Sequence, residues 1–336
     1  MIQSNMIRTL CLEGASAQST YSVGALEYML QVGLLSGVRD IYCFSFGSLI
    51  AACFCITGSF KHILVEMQSS DVSSECKNIQ NRLLPSVLFP FLKKFNTSSL
   101  RRIISKVIPE NFKTLADLQR KSGICIHILA SEVGAFKTKV FNSQKHPDLC
   151  LVTALLASCA VPYIFEPVMI HEKLYIDGQI NNNFHSIRIN GKEGEILEIT
   201  SAKPACQFVG LNIYQSLWRH ALAIQAQKTM HKQILKMPSY QHMMIYISTE
   251  QMKKMFYTGA LIASCEYNIH HKNFPLPAAR MACCGITAST VAHEFPTTPY
   301  LEKLANWIST LGITVIPNKS KFSKVVMCEC GNELKW

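Results

Sequence analysis

Apolar residues in the first part of the chain fall into short continuous blocks separated by small and polar positions. Ile7 to Leu12 reads as a buried strand, Gly14 to Thr20 as a small-residue loop, and about Tyr21 to Val32 as a helix. A second strand follows at Ile41 to Phe44, with a helix from Phe46 to about Ile56. Strands that are apolar throughout, alternating with helices, predict a mainly parallel sheet covered on its faces. Further on, Gly123 to Ser131 predicts another buried strand, Lys137 to Phe141 its extended neighbour, and Cys150 to Cys159 a buried helix. Leu174 to Ile176 predicts a short strand ending at Asp177-Gly178. The second half predicts a long helix over Val209 to Lys236, a strand at Met243 to Ile247 and a closing helix at Tyr300 to Leu311.

One block could be read in two ways. Between Asp40 and Lys61 stand twenty uncharged residues, enough by length to span a membrane. Ser45, Gly47, Ser48, Gly58 and Ser59 interrupt it, and strand, turn and buried helix account for it better. No stretch rich in Pro, Gly or Ser separates two composition regimes, and no period repeats. The expectation is one domain over 1–336, with a motif-bearing core at about 7–205 and a helical part at about 206–336. The fold class is α/β, a three-layer sandwich around a central, mainly parallel sheet.

Composition adds a bias towards surfaces. Hydrophobic residues make up 49% and charged residues 16%, and the formal net charge is +11, which together suit membrane contact. From Lys77 to Lys121 ten Lys or Arg residues stand against Glu110 and Asp117 alone. Leu83, Leu84, Val87, Leu88, Phe89 and Phe91 are interleaved with them, and Pro85 and Pro90 are expected to break any long helix. Basic and apolar side chains together fit a peripheral, anionic membrane surface, and a solvated face over ordinary core helices is the competing reading. No nucleic-acid partner is expected, because no recognised reader motif is present.

Fourteen cysteines without a signal-peptide pattern point to free thiols and a cytoplasmic location. Their closest groupings, Cys53-x-Cys55, Cys283-Cys284 and Cys328-x-Cys330, lack the spacing of a zinc site, and no nucleotide or cation loop is present. Neither a metal nor another cofactor is expected.

In such sheets reactive groups gather beyond the carboxyl ends of the strands. Three loops qualify: Glu13 to Ala17, Cys43 to Gly47, and Asp177-Gly178. Cys43-Phe44-Ser45-Phe46-Gly47 is a variant of the G-x-S-x-G elbow, which needs small residues two before and two after the serine because the chain reverses so tightly. It would put Ser45 at a helix N-terminus, where free N–H groups and the dipole favour a developing oxyanion. A helix N-cap is the plainer role for such a serine, and a turn the plainer role for Asp177-Gly178. His171, His185 and His293 could supply a third member in the order Ser, Asp, His, but none has a recognisable context.

Ala157-Ser158-Cys159-Ala160-Val161-Pro162, continuing through Phe165-Glu166-Pro167-Val168 to Asp177-Gly178 and Asn181 to Asn183, resembles the signature of the patatin-like phospholipases. The elbow lies in the matching order, and the resemblance covers about Arg8 to Asn183. It implies a Ser–Asp dyad acting on lipid acyl esters, with Ser45 as nucleophile and Asp177 as base. It also implies an oxyanion loop at Gly14, Ala15, Ser16 and Ala17, and a phospholipid or other lipid ester as partner. The chain departs from the family at that loop: Ala15 and Ser16 replace glycines, Gln18 an Arg or Lys, and Ser19 a glycine. Phe44 and Phe46 flank the nucleophile where the family has small residues. A lipase of neutral acylglycerols, a thioesterase, and a lipid-binding protein of the same fold are the alternatives.

Overall fold

A computed structural model describes residues 7–88, 97–135, 137–162, 164–180, 184, 187–192, 194–201, 233–237, 245–266, 315–317 and 324–326. Its centre is an eight-stranded sheet. β1 (Thr9–Leu12), β2 (Asp40–Cys43) and β3 (Cys125–Glu132) lie side by side and parallel. β7 (Ile196–Ser201) and β8 (Gln233–Met237) extend the sheet beyond β1, also parallel. β4 (Lys137–Asn142), β5 (Val168–Ile170) and β6 (Lys173–Asp177) are antiparallel to their neighbours. A separate antiparallel pair joins β9 (Val315–Pro317) to β10 (Lys324–Val326).

The helices are α1 (Thr20–Gln31), α2 (Phe46–Thr57), α3 (His62–Gln68), α4 (Ser70–Leu88), α5 (Thr97–Val107), α6 (Leu115–Ser122), α7 (Leu151–Cys159) and α8 (Thr249–Glu266). Strand side chains alternate faces, and the core divides accordingly. Leu10, Leu12, Ile41, Cys43, Ile126 and Ile128 join one large cluster with apolar residues from all eight helices. Cys11, Tyr42, Phe44, Leu129 and Ile196 point the other way and pack under Phe184 and Ile189. The whole is an α/β sandwich, as the pattern of blocks predicts.

The register around β3 positions the site. Cys43, the last residue of β2, pairs with Ile128, and Asp177, the last residue of β6, pairs with Ala130. β4 spans His127 to Glu132 along β3, so β2 and β6 occupy the opposite edge in succession. β2 and β6 therefore end towards one another, about two residues apart along β3, or roughly 6 to 7 Å. The elbow leaves the sheet in that gap.

Several predicted elements differ. The uncharged run divides into β2, the elbow and α2, and no single described helix is long and apolar enough to cross a membrane. Pro85 does not end its helix at once: α4 runs through it to Leu88, only three residues further, so little helix lies beyond the proline. Gln233 to Lys236, expected within a helix, belongs to β8, where Leu235 and Met237 are buried at a spacing of two against β7. Ile245 to Ile247 forms no strand but leads into α8, which Ser248 and Gln251 cap reciprocally. The remainder of the predicted 209–236 helix and the 300–311 helix lie outside the described residues, as do His185, His293 and the Cys328-x-Cys330 tail.

The basic stretch is less unbalanced in space than in sequence. Asp71 and Glu75, one and two turns into α4, answer Lys106 at 3.1 Å and Arg102 from α5. Arg120 pairs with Asp117 at 3.0 Å, and Lys77 sits over the Tyr246 ring at 4.7 Å.

Candidate active site

Ser45 occupies the first non-helical position before α2 with φ 51° and ψ −137°, a backbone region that side chains rarely enter. Such strain persists only where neighbours impose it, and here they do. Its N–H donates to both oxygens of Ser158, at 3.0 Å to Oγ and 3.1 Å to the carbonyl. The Ser158 hydroxyl in turn donates to the Leu129 carbonyl at 2.8 Å, and the Ser158 carbonyl accepts from Gly178 N–H at 3.3 Å. One residue at the end of α7 thus ties the elbow, strand β3 and the Asp177 turn together. Sequence reasoning placed Ser158 in a signature without giving it this task.

The elbow needs its small residues for contact reasons. A Cβ on Gly47 would lie 2.9 Å from the Glu13 carbonyl oxygen, and one on Gly14 would lie 2.6 Å from the Phe46 amide nitrogen. Real Cβ atoms do not approach so closely. Cys43 tolerates its position by turning a buried thiol to the His127 carbonyl at 3.6 Å. Phe44 is buried against Phe184 on the far face, with ring centres 5.0 Å apart, and so does not narrow the pocket. Phe46 does line it.

Asp177 is 2% exposed. Its Oδ1 accepts from Gln179 N–H at 2.8 Å, while Oδ2 has no hydrogen bond of ordinary geometry. Burial pushes its carboxyl up to about 6, against the opposing pull of the Ser45 hydroxyl and the Gln179 N–H. The Ser45 hydroxyl therefore acts on the carboxylate, yet the bond that would hold it to Oδ2 is not closed.

Gly14, Ala15, Ser16 and Ser45 share the wall of a cleft that opens to solvent. Gln179 apart, its other walls are apolar, with Leu49 from α2, Ile79 from α4, Leu100 and Ile103 from α5, and Phe165 beyond α7. Ala17 lines a smaller neighbouring cavity instead. The loop N–H groups are not equivalent: Ala15 donates to the Ser19 hydroxyl at 2.7 Å, whereas those of Gly14 and Ser16 make no hydrogen bond among the described residues. Ser16 takes the strained φ of 52° that a family glycine would take freely. His171 sits in the β5–β6 turn, at the opposite end of β6 from Asp177.

A second group of potential ligands, Asp40, Cys125 and His127, lies at the amino ends of β2 and β3, away from the elbow. His127 Nε2 meets Asp40 at 2.8 Å and Nδ1 meets the Asn142 amide at 3.1 Å, while Tyr42 stacks on the ring. Both ring nitrogens are thus engaged, and the imidazole braces two strands.

The patatin-like phospholipase profile matches residues 10–185, more than half of the chain, with both Ser45 and Asp177 inside the match. The chain belongs to the patatin-like phospholipase family. A viral protein named "Probable lipid hydrolase 463L", from Invertebrate iridescent virus 6, is 24% identical over 185 residues, covering 53% of this chain and 61% of the relative. The chain thus matches less than two thirds of that protein's length. Among solved structures, VipD from Legionella pneumophila superposes with a TM-score of 0.49 at 12% identity, covering 92% of this chain and 75% of VipD. ExoU of Pseudomonas aeruginosa, in its complex with SpcU, gives 0.44 at 16% identity, covering 91% and 60%.

Proposed function

We propose that the protein is a lipid acyl hydrolase of phospholipase A or lysophospholipase type, with Ser45 as nucleophile and Asp177 as its base. The observation that carries this is a strained serine on the wall of a largely apolar cavity with a buried carboxylate of raised basicity beside it. An unperturbed aspartate, with a pKa near 4, is a weak base for a hydroxyl; one held near 6 is a better match to neutral pH.

In the reaction the Ser45 proton passes to Asp177 as Oγ attacks the ester carbonyl. The N–H groups of Gly14 and Ser16, unpaired among the described residues, would receive the negative charge that develops on the carbonyl oxygen. Collapse of the tetrahedral intermediate breaks the ester bond, and the leaving alcohol takes the proton from Asp177. Water then attacks the acyl-enzyme, giving its proton to Asp177, and the fatty acid departs as Ser45 is reprotonated. Fatty-acid release from phospholipid vesicles tests the reading. Both Ser45→Ala and Asp177→Asn should lose about 10³-fold or more, as removal of a nucleophile or its base does elsewhere. Release that persists in both variants would overturn the dyad.

A lipid-binding role without fast turnover is favoured by one observation, the capture of the Ala15 N–H by Ser19. Covalent labelling of Ser45 by a fluorophosphonate separates the two readings, since a serine with no usable oxyanion loop stays unlabelled in folded protein.

A further inference from the structure

Four large apolar side chains are markedly exposed among the described residues: Val65 at 51%, Val133 at 45%, Met169 at 66% and Leu174 at 40%. Three of them converge. Met169 and Leu174 are direct partners across the β5–β6 hairpin, and the Val133 N–H donates to the Leu174 carbonyl at 2.8 Å. Residues paired across antiparallel strands share a face, so Met169, Leu174 and Val133 form one apolar strip at the end of the sheet. The other side of the hairpin packs onto the core through Val168, Ile170 and Tyr175, and at its edge Lys173 meets Glu132 at 2.8 Å, with Lys137 paired in register with the same glutamate.

Along the chain the strip lies near the candidate active site in both directions, on the opposite face of β6 from Asp177. Leu174 stands three residues before Asp177 on β6, about 10 Å at strand rise. Phe165, in the cavity wall, stands four residues before Met169. Because β6 runs antiparallel to β3 and ends opposite Ala130, the hairpin turn lies beyond the carboxyl ends of β2 and β3. It projects from the same end of the sheet as the elbow.

We propose that the β5–β6 hairpin, with Val133 beside it, is a docking face that seats the protein on a zwitterionic lipid surface. The proposal rests on the acyl-hydrolase reading for its substrate and names the surface through which that substrate is reached. Charge favours a lipid of no net charge. Lys137, Lys139 and Lys173 around the hairpin are balanced by Glu132, Glu166 and Glu172, and the basic stretch on α4 to α6 spends several of its charges on Asp71, Glu75 and Asp117. The three exposed apolar side chains entering the lipid supply a non-directional attraction that salt does not screen. Lysines at the rim can extend their stems across the edge towards lipid phosphates.

The test compares the wild-type chain, Met169→Asp/Leu174→Asp and Val65→Asp in flotation with phosphatidylcholine vesicles. Hydrolysis of water-soluble p-nitrophenyl butyrate and fluorophosphonate labelling are measured on the same samples. The double variant should bind vesicles at least tenfold more weakly and release correspondingly less fatty acid from them, with soluble-ester hydrolysis and labelling unchanged. Val65→Asp should match wild type in every assay, and wild-type binding should survive a rise from about 0.1 to about 0.5 M salt. Equal binding by double variant and wild type, equal loss in Val65→Asp, or release by salt would overturn the docking face. So would a dimer that the double variant dissolves while vesicle binding persists, since the strip would then be a self-interface. If wild type binds vesicles as described but hydrolyses neither substrate, the docking face stands and the hydrolase reading falls.

Discussion

Asp177 couples activity to stability through one proton. A group whose pKa rises on folding binds more protons folded than unfolded, so stability falls with pH between the two values. For Asp177 the window runs from about 4 in the unfolded chain to about 6 in the folded one. Below it the carboxyl is neutral in both states and carries no charge penalty. Above it the buried carboxylate costs on the order of 2 to 3 kcal/mol, since each tenfold change in the ionisation equilibrium is worth about 1.4 kcal/mol. Activity should show the opposite trend, rising through about pH 6 as the base ionises. Asp177→Asn is therefore expected to abolish turnover yet raise Tm at pH 8, with little gain at pH 4; a Tm difference that ignores pH would contradict the assignment. Ser19 offers a second test. Its hydroxyl satisfies the buried Ala15 N–H in the resting protein, and an N–H left without a partner costs about 1 to 3 kcal/mol. In Ser19→Gly that donor is free to be satisfied by the oxyanion instead. Fluorophosphonate should then label Ser45 roughly tenfold faster, alongside a lower Tm.

The elbow works because three segments meet on one backbone. Ser158→Ala removes the hydroxyl that bridges Ser45 N–H to the Leu129 carbonyl, leaving the Ser158 carbonyl to hold the turn. The loss should cost about 1 to 3 kcal/mol and lower kcat by at least about tenfold through misplacement of the nucleophile. Ser158→Thr, which keeps the hydroxyl, should recover most of it, and a rescue failure would reduce Ser158 to a packing residue. The apolar blocks revealed β1, α1, β2, α2 and α7 because each is buried along most of its length, where burial and local pattern agree. The neighbouring of β4 and β3 was legible because the two strands are close in sequence, but the pairing of β6 with β3 was beyond reach, because register is set by contacts distant in sequence. Asp71 and Glu75 lie just before the stretch whose charge they balance, so a count along the chain missed what two facing helices bring together. The oxyanion loop was legible as a departure from the family, but its outcome depends on Ser19, and a side chain folding back onto an amide leaves no trace in composition.

α8 is the element the sequence concealed most fully, and it shapes the whole molecule. α1 is buried without a break from Thr20 to Met29, more than a sheet on one side can account for. α8 supplies the other side. Among the described residues the two helices cross so closely that a Cβ on Gly24 would land on the Phe256 backbone, and one on Gly259 would land on that of Tyr21. Small residues at a crossing let helix axes approach below their usual spacing of about 8 to 10 Å. Met252, Met255, Phe256, Ala260 and Ile262 then join the same core as α2 and β1. This contact follows the oxyanion loop directly, since α1 begins one residue after Ser19. Gly259→Val should therefore act on two measurements together. Forcing the helices apart should cost about 3 kcal/mol, at the upper end for overpacked sites, seen as a lower Tm. By moving the start of α1 it should also slow labelling of Ser45, although position 259 touches no part of the cavity wall. Gly58→Ala, at a helix end where an added Cβ meets nothing but takes a left-handed φ of 75°, is the control: it should lower Tm by about 1 kcal/mol of stability and leave labelling unchanged. Equal labelling in both variants would sever α8 from the site.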